Sequence, residues 1–352
     1  MSDVEVIGKG AQLSNHGVIK IGTRKSALAV VQAESVAAEI QTKFPGLSTK
    51  ITALSTLGDQ MQHKPLYSFG GKSLWTKELE ILLLESVGEH DKIDLIVHCL
   101  KDMPTSLPDE FELGCILERE DPRDALVMKA GSSYKCLGDL PDGSVVGTSS
   151  VRRSAQLLKN YPRLRFKSVR GNIQTRISKL DDPDADFSCL LLAAAGLIRM
   201  NLHNRITQYL DEDNMHYAVG QGALALEIRK GDEYIRQICS KLRHDATTYC
   251  GLAERSLLRF LEGGCSLPIG CITNYDENSK ILRMKAMVVS CDGTESVEQN
   301  YSAKVETDDD AEKFGIAIAQ FLLDNGAKKI LDDINYDKIE EIKQAGITKG
   351  TN

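Results

Sequence analysis

VIKIGTRKSALAVVQAESVAAEIQTKFPGLSTKITAL, residues 18–54, changes its period twice. Val18–Ile21 is apolar, Gly22 and Thr23 turn the chain, and Ser26–Ile40 carries apolar positions at helical spacing until Pro45-Gly46 stops it. A second strand, Lys50–Leu54, follows at once. Strand, turn, helix and strand in this order predict α/β architecture.

The same alternation continues outward. Thr76 is a candidate cap for a helix through Leu83, and Asp94–Cys99, Ser144–Gly147 and Phe187–Ala193 read as buried strands. After Gly220-Gln221-Gly222 come a short apolar segment, Ala223–Ile228, and helices over Glu233–Leu242 and Thr247–Leu261. Beyond Gly263-Gly264 the pattern changes. Ile269–Asn274, Ile281–Val289 and Tyr301–Val305 read as antiparallel strands and Ala311–Leu323 as an amphipathic helix, a small separate α+β domain. Gln60–Lys72 has no clean period and contains Pro65, Gly70 and Gly71, so it reads as a long surface loop, a mobile cover for a cleft. No internal repeat is legible.

A chain of 352 residues, 42% apolar, can bury a sizeable interior and should divide into two or three domains. With 26% charged residues and a net charge of -7, it lacks a general nucleic-acid surface. It also lacks the roughly 18–20 consecutive apolar residues of a membrane span. Met1–Lys20 does not have the order of a secretory signal, so a cytoplasmic location is expected. The nine cysteines form no CxxC pair and the seven histidines are dispersed, so no cysteine or histidine metal site is expected, although carboxylates could still bind a cation.

Arginine is the uneven residue. Of 17, ten lie between Arg119 and Arg205 and none follows Arg283. Arg152 and Arg153 follow Gly147-Thr148-Ser149-Ser150, between a strand and an apolar helix, where free backbone N–H groups and hydroxyls already favour an anion. Arg170 occupies a similar junction, Arg176 lies one to two helical turns beyond it, and Arg24 sits at a third. Strand ends converging on one anionic ligand fit this pattern, with ordinary surface arginines as the alternative. On these residues alone an organic polycarboxylate and a sugar phosphate are equally good ligands, although Gly8-Lys9-Gly10 lacks a phosphate-loop framework.

Six motifs in order span nearly the whole chain. They are Ile21-Gly22-Thr23-Arg24-Lys25-Ser26, Leu74-Trp75-Thr76-Lys77-Glu78-Leu79, His98-Cys99-Leu100-Lys101-Asp102-Met103-Pro104-Thr105, Gly147-Thr148-Ser149-Ser150-Val151-Arg152-Arg153, Val169-Arg170-Gly171-Asn172 and Gly263-Gly264-Cys265-Ser266. Together they resemble the hydroxymethylbilane synthase (porphobilinogen deaminase) family, with Trp75 standing where a phenylalanine is common. The resemblance implies an α/β fold of two type II periplasmic-binding-protein-like domains around a cleft, plus a small C-terminal α+β domain. Domain 1 would comprise Met1–Glu118 and Gly222–Ser240, domain 2 Arg119–Gln221 with the interdomain crossover, and the cofactor-attachment domain Lys241–Asn352.

The implied function is a monomeric transferase of tetrapyrrole biosynthesis. It would deaminate and polymerise four porphobilinogen molecules on a covalent dipyrromethane cofactor and release hydroxymethylbilane by hydrolysis. Its partners would be porphobilinogen and the growing polypyrrole chain, with no nucleic acid or membrane. The resemblance gives the thioether to Cys265, otherwise one more thiol, and surrounds the cofactor with Ser26, Lys101, Asp102, Thr148, Ser149, Arg152, Arg153, Arg170, Gly171, Arg199 and Ser266. It gives catalysis to Asp102, with Arg24, Lys101, Arg152, Arg153, Arg170 and Arg176. Loss of ammonia and ring coupling both place positive charge on pyrrole rings, which a nearby carboxylate stabilises. Gln32 and Gln221 read either as cleft contacts or as residues serving only the fold.

Overall fold

The computed structural model describes residues 17–55, 76–261 and 267–334. The opening stretch forms strand β1 (Gly17–Arg24), helix α1 (Ala27–Lys43) and strand β2 (Leu47–Leu54), paired in parallel with β1. Ser26 caps α1 by accepting from the Ala29 amide at 3.4 Å. The first sheet is completed by β3 (Leu95–Cys99), β4 (Phe111–Ile116) and β10 (Leu224–Arg229), in the order β2-β1-β3-β10-β4. β10 runs antiparallel to both of its neighbours. Ile19, Ile21, Leu95, Leu226 and Ile228 pack against Val36 and Ile40 of α1 and Ile235 and Ile238 of the helix Glu233–Leu242.

Between β4 and β10 the chain builds a second sheet from β5 (Asp124–Met128), β6 (Val145–Gly147), β7 (Arg165–Lys167), β8 (Phe187–Ala193) and β9 (Gln208–Leu210). Its order is β7-β6-β8-β5-β9, and β6 is parallel to β7 and β8 while β5 is antiparallel to β8 and β9. Each sheet thus places its antiparallel insertion second from an edge, directly after a passage between sheets. The strand pattern repeats although the sequence shows no repeat. Helices Val151–Asn160 and Ile173–Asp181 cover the second sheet, and Leu157, Phe166 and Leu191 lie on one side, with Leu180, Leu190 and Leu192 on the other.

The third unit contains the antiparallel strands β11 (Ile269–Asp276), β12 (Ile281–Val289) and β13 (Ser296–Lys304). Its helices, Asp245–Phe260 and Asp308–Leu322, pack together through Ala253, Leu257, Phe314 and Ile318. The expected assignment to two type II periplasmic-binding-protein-like domains is corrected to the topology observed: two five-stranded mixed α/β sheets and a three-stranded antiparallel unit. Layers and strand counts are common to many α/β folds and do not establish a shared backbone. The Gln60–Lys72 loop and the Gly263–Ser266 motif lie outside the described residues.

Candidate functional site

The expected cleft residues follow the C-terminal ends of parallel strands. Arg24 ends β1, Lys101 and Asp102 form a 3-10 turn after β3, and Thr148 and Ser149 follow β6. Arg170 and Gly171 follow β7, and Arg199 ends the short helix Ala194–Arg199 after β8. Open α/β sheets place their sites at these ends because side chains leaving several strands meet there. Ser149 Oγ donates to the Val169 carbonyl at 2.9 Å and pairs with Ser168 Oγ at 2.8 Å, while Thr148 Oγ1 accepts from the Ser150 amide at 3.1 Å. Gly171 has φ +115°, and a Cβ there would lie 2.8 Å from Thr175 Cγ2, so the bend requires glycine.

Arg152 and Arg153 sit in a buried joint. Arg152 Nη1 donates to Asp124 Oδ2 and to the His216 carbonyl, both at 2.7 Å. Arg153 reaches Asp124 Oδ1 through Nε at 3.0 Å and Nη2 at 2.7 Å, and its Nη1 donates to the Leu191 carbonyl at 2.9 Å. Gln221 Nε2 adds a fourth donor to Asp124, at 2.9 Å, and a bond to the Pro122 carbonyl at 2.7 Å. Burial alone would raise the Asp124 carboxyl, but Arg152 and Arg153 outweigh it and hold the group well below the usual carboxylate range. Beside this cluster, Arg119 makes a two-pronged pair with the fully buried Glu254 at 2.6 and 3.0 Å and donates to the Gln221 carbonyl at 2.7 Å. The joint therefore ties both passages between sheets to the third unit.

A second set of charges lies at the expected site. Arg176 donates through Nε to the Gly171 carbonyl at 2.7 Å, and Arg199 through Nη2 to the Gly222 carbonyl at 2.7 Å. Neither has a carboxylate within 4.0 Å among the described residues. Burial, then Arg153 and Arg170, push Arg176 down to about 10, with Asp102 acting in the opposite direction. Lys101 is also lowered, chiefly by burial, with Asp102 opposing and Arg153 reinforcing the shift. Asp102 of the first sheet thus lies within electrostatic reach of Lys101 and of Arg176 from the second. It is exposed, unlike Asp124. Gln32 and Cys99 form an amide–thiol pair at 3.2 Å, and burial raises the thiol.

Asp124 was not legible in the sequence as a site residue, although an Arg-Arg pair destined for burial requires an acid. The structure places Arg24, Ser26, Thr148, Ser149, Arg170 and Gly171 at or just after strand ends, Arg176 within the helix Ile173–Asp181 and Arg199 at the end of the helix Ala194–Arg199, and commits Arg152, Arg153 and Gln221 to Asp124. Cys265 and Ser266 lie outside the described residues.

Guanidinium and ammonium groups from two α/β sheets, within electrostatic reach of one exposed carboxylate, suit an organic polyanion. Comparisons with known proteins specify the family. Residues 19–237 match the model for "Porphobilinogen deaminase, dipyromethane cofactor binding domain", and residues 248–324 the model for "Porphobilinogen deaminase, C-terminal domain". The porphobilinogen deaminase of Debaryomyces hansenii is 62% identical over 92% of this chain and 90% of that protein. That of Candida albicans is 61% identical over 92% and 94%, and that of Saccharomyces cerevisiae 55% over 92% and 98%. The chain belongs to the porphobilinogen deaminase family, the hydroxymethylbilane-forming transferases of tetrapyrrole biosynthesis. Enzymes of this family use a dipyrromethane cofactor bound to a cysteine.

Solved structures do not carry the periplasmic likeness. The periplasmic VFT2 domain of Bordetella pertussis BvgS gives a TM-score of 0.37 at 12% identity, covering 65% of this chain and 88% of that one. The L-cystine receptor of Neisseria gonorrhoeae gives 0.36 at 14%, covering 72% and 97%. Overlap of this size assigns no common fold, so the periplasmic assignment is withdrawn.

Proposed function

We propose that the protein deaminates four porphobilinogen molecules and joins them on a dipyrromethane held by Cys265, then releases the linear tetrapyrrole by hydrolysis. The observation that carries this reading is the meeting of Asp102 with Lys101 and Arg176 across two sheets, in a chain that belongs to this family. The residues fit the cofactor: Arg176 and Arg199 are half-buried cations bonded to neutral carbonyls, and each can take a carboxylate. When bound, the dipyrromethane supplies the pyrrole α-carbon from which the chain grows.

The protein's own groups then divide the work. Arg24, Arg170, Arg176 and Arg199 hold acetate and propionate side chains. Lys101 adds a compact cation whose proton burial has already loosened. Asp102 would supply the negative charge that stabilises the positive charge developing on pyrrole rings as ammonia leaves and as the rings couple. Arg152 and Arg153 act at the cleft wall through the Asp124 joint, which fixes how the sheets present these groups. In this proposal the enzyme is a cytoplasmic monomer that meets porphobilinogen and the growing polypyrrole, without nucleic acid or membrane.

Intact-protein mass and ammonia release test the reading together. Holoenzyme should exceed the calculated chain mass by two linked pyrrole units, located on Cys265 by peptide mapping, and should release ammonia from porphobilinogen. An increment on another cysteine, or anion binding without ammonia release, overturns it.

A further inference from the structure

Behind the Asp102 turn, away from the cleft arginines, a cavity of about 400 Å³ opens between the edge strand β4 and the helices of the third unit. Leu107, Phe111, Leu113 and Leu252 give it an apolar wall, and none of the expected cleft residues lines it. Its volume lies in the range of small-molecule sites.

The polar lining is unevenly balanced. Asp308 is held by Arg243 at 2.5 and 2.9 Å, Glu312 by Arg259 at 3.0 Å, and Glu112 by Arg236 at 2.8 Å. Asp109 is exposed. Arg255 is different. It is 5% exposed, and among the described residues its only hydrogen bonds run to the carbonyls of Met103, from Nη1 at 3.2 Å, and Pro104, from Nη2 at 2.6 Å. No carboxylate lies within 4.0 Å of it among the described residues. A guanidinium has five N–H donors, so three of these remain without a protein partner there. Burial, followed by Arg259, pushes Arg255 down to about 10, and the carboxylates of Glu227 and Glu312, beyond ion-pair distance, oppose the shift without cancelling it. Lys230, exposed on the same cavity lining, also has no carboxylate at ion-pair distance among the described residues.

We infer that this cavity is a second ligand site, built for a small aromatic carboxylate whose ring lies on Leu107, Phe111, Leu113 and Leu252 and whose carboxylate pairs with Arg255. A buried cation held by neutral carbonyls gains most from an anion that brings its own charge and accepts the donors left over. The apolar wall selects a ring over inorganic phosphate. Because Arg255 also grips the two carbonyls that follow Asp102, occupancy of the cavity is felt at the catalytic turn. The site itself does not depend on the role assigned to Asp102 or Cys265.

Methyl NMR of the holoenzyme, with benzoate as the probe and benzamide as its neutral counterpart, tests the site directly. Benzoate should shift the methyl resonances of Leu107, Leu113 and Leu252 along one saturating curve, and benzamide should leave them in place. Arg255→Gln should weaken the benzoate curve at least about tenfold, the effect of losing one charge-assisted pair. Lys230→Glu, on the exposed rim where packing is untouched, should weaken it by a smaller factor even if the Arg255 variant fails to fold. Unmoved methyls, equal shifts with benzamide, or an unchanged benzoate curve in Lys230→Glu and in any folded Arg255→Gln overturns the inference.

Discussion

Two aspartates, 22 positions apart, mark two kinds of electrostatics in one molecule. Asp124 is 1% exposed and saturated by Arg152, Arg153 and Gln221, so its charge is spent on holding the sheets together. Asp102 stands exposed on a three-residue turn, within electrostatic reach of Arg176, whose hydrogen bond among the described residues runs to a neutral carbonyl. Residue type and a nearby arginine cluster do not separate the two. Burial does, because a buried carboxylate must be matched within the fold whereas an exposed one retains charge for a ligand.

The sharpest way to break this contrast is Asp124→Asn. It leaves Arg152 and Arg153 buried without a counter-charge and should cost about 3–5 kcal/mol of stability, read from urea unfolding of the holoenzyme. The same joint predicts an acid limb. Because the folded carboxyl titrates below its unfolded value, its contribution is complete above roughly pH 4 and is lost as pH falls through the depressed folded value. A stability profile below pH 4 with the same slope in wild type and Asp124→Asn would remove Asp124 from its place in the joint.

Asp102→Asn should behave in the opposite way. With cofactor loading verified by mass, it should keep its unfolding midpoint and lose turnover by at least roughly a hundredfold. Near-parental ammonia release would make Asp102 a turn residue. Arg176→Gln comes next, with kcat/KM for porphobilinogen falling about tenfold while stability changes by less than about 0.5 kcal/mol. A large loss of stability instead would move Arg176 from cleft to joint. The smallest effect expected is for Gly171→Ala, whose Cβ meets Thr175 and whose φ is positive; about 1 kcal/mol of stability should be lost, visible as a lower thermal midpoint.

Periodicity revealed the elements whose burial is regular. The helix expected over Glu233–Leu242 and the strands expected over Phe187–Ala193 and Ile281–Val289 have those bounds in the structure. It missed β5 and β7, since Asp124–Met128 opens with a buried acid and Arg165–Lys167 offers three residues to any pattern. The place of Arg176 one to two helical turns beyond a strand–turn junction could be anticipated from the local pattern, whereas Arg199 was pointed to by family likeness alone. The commitment of Arg152 and Arg153 could not, because their partners Asp124, Leu191 and His216 lie 28 to 64 positions away and a pairing at that distance leaves no local trace. Arg255 was hidden for the same reason, its partners lying 151 and 152 positions earlier.

The placement of β10 between β3 and β4 has a consequence for how the chain is made. During synthesis, the first sheet has its outer strand β4 long before it has the strand that joins β4 to β3. The second sheet comes from one unbroken stretch, Asp124 to Leu210, and all its strands have been made by the time Leu210 is added. Domains form as their last essential segment leaves the ribosome. On a translating ribosome the second sheet is therefore the first to close, and the amino-terminal sheet waits with an open centre until Leu224–Arg229 emerges.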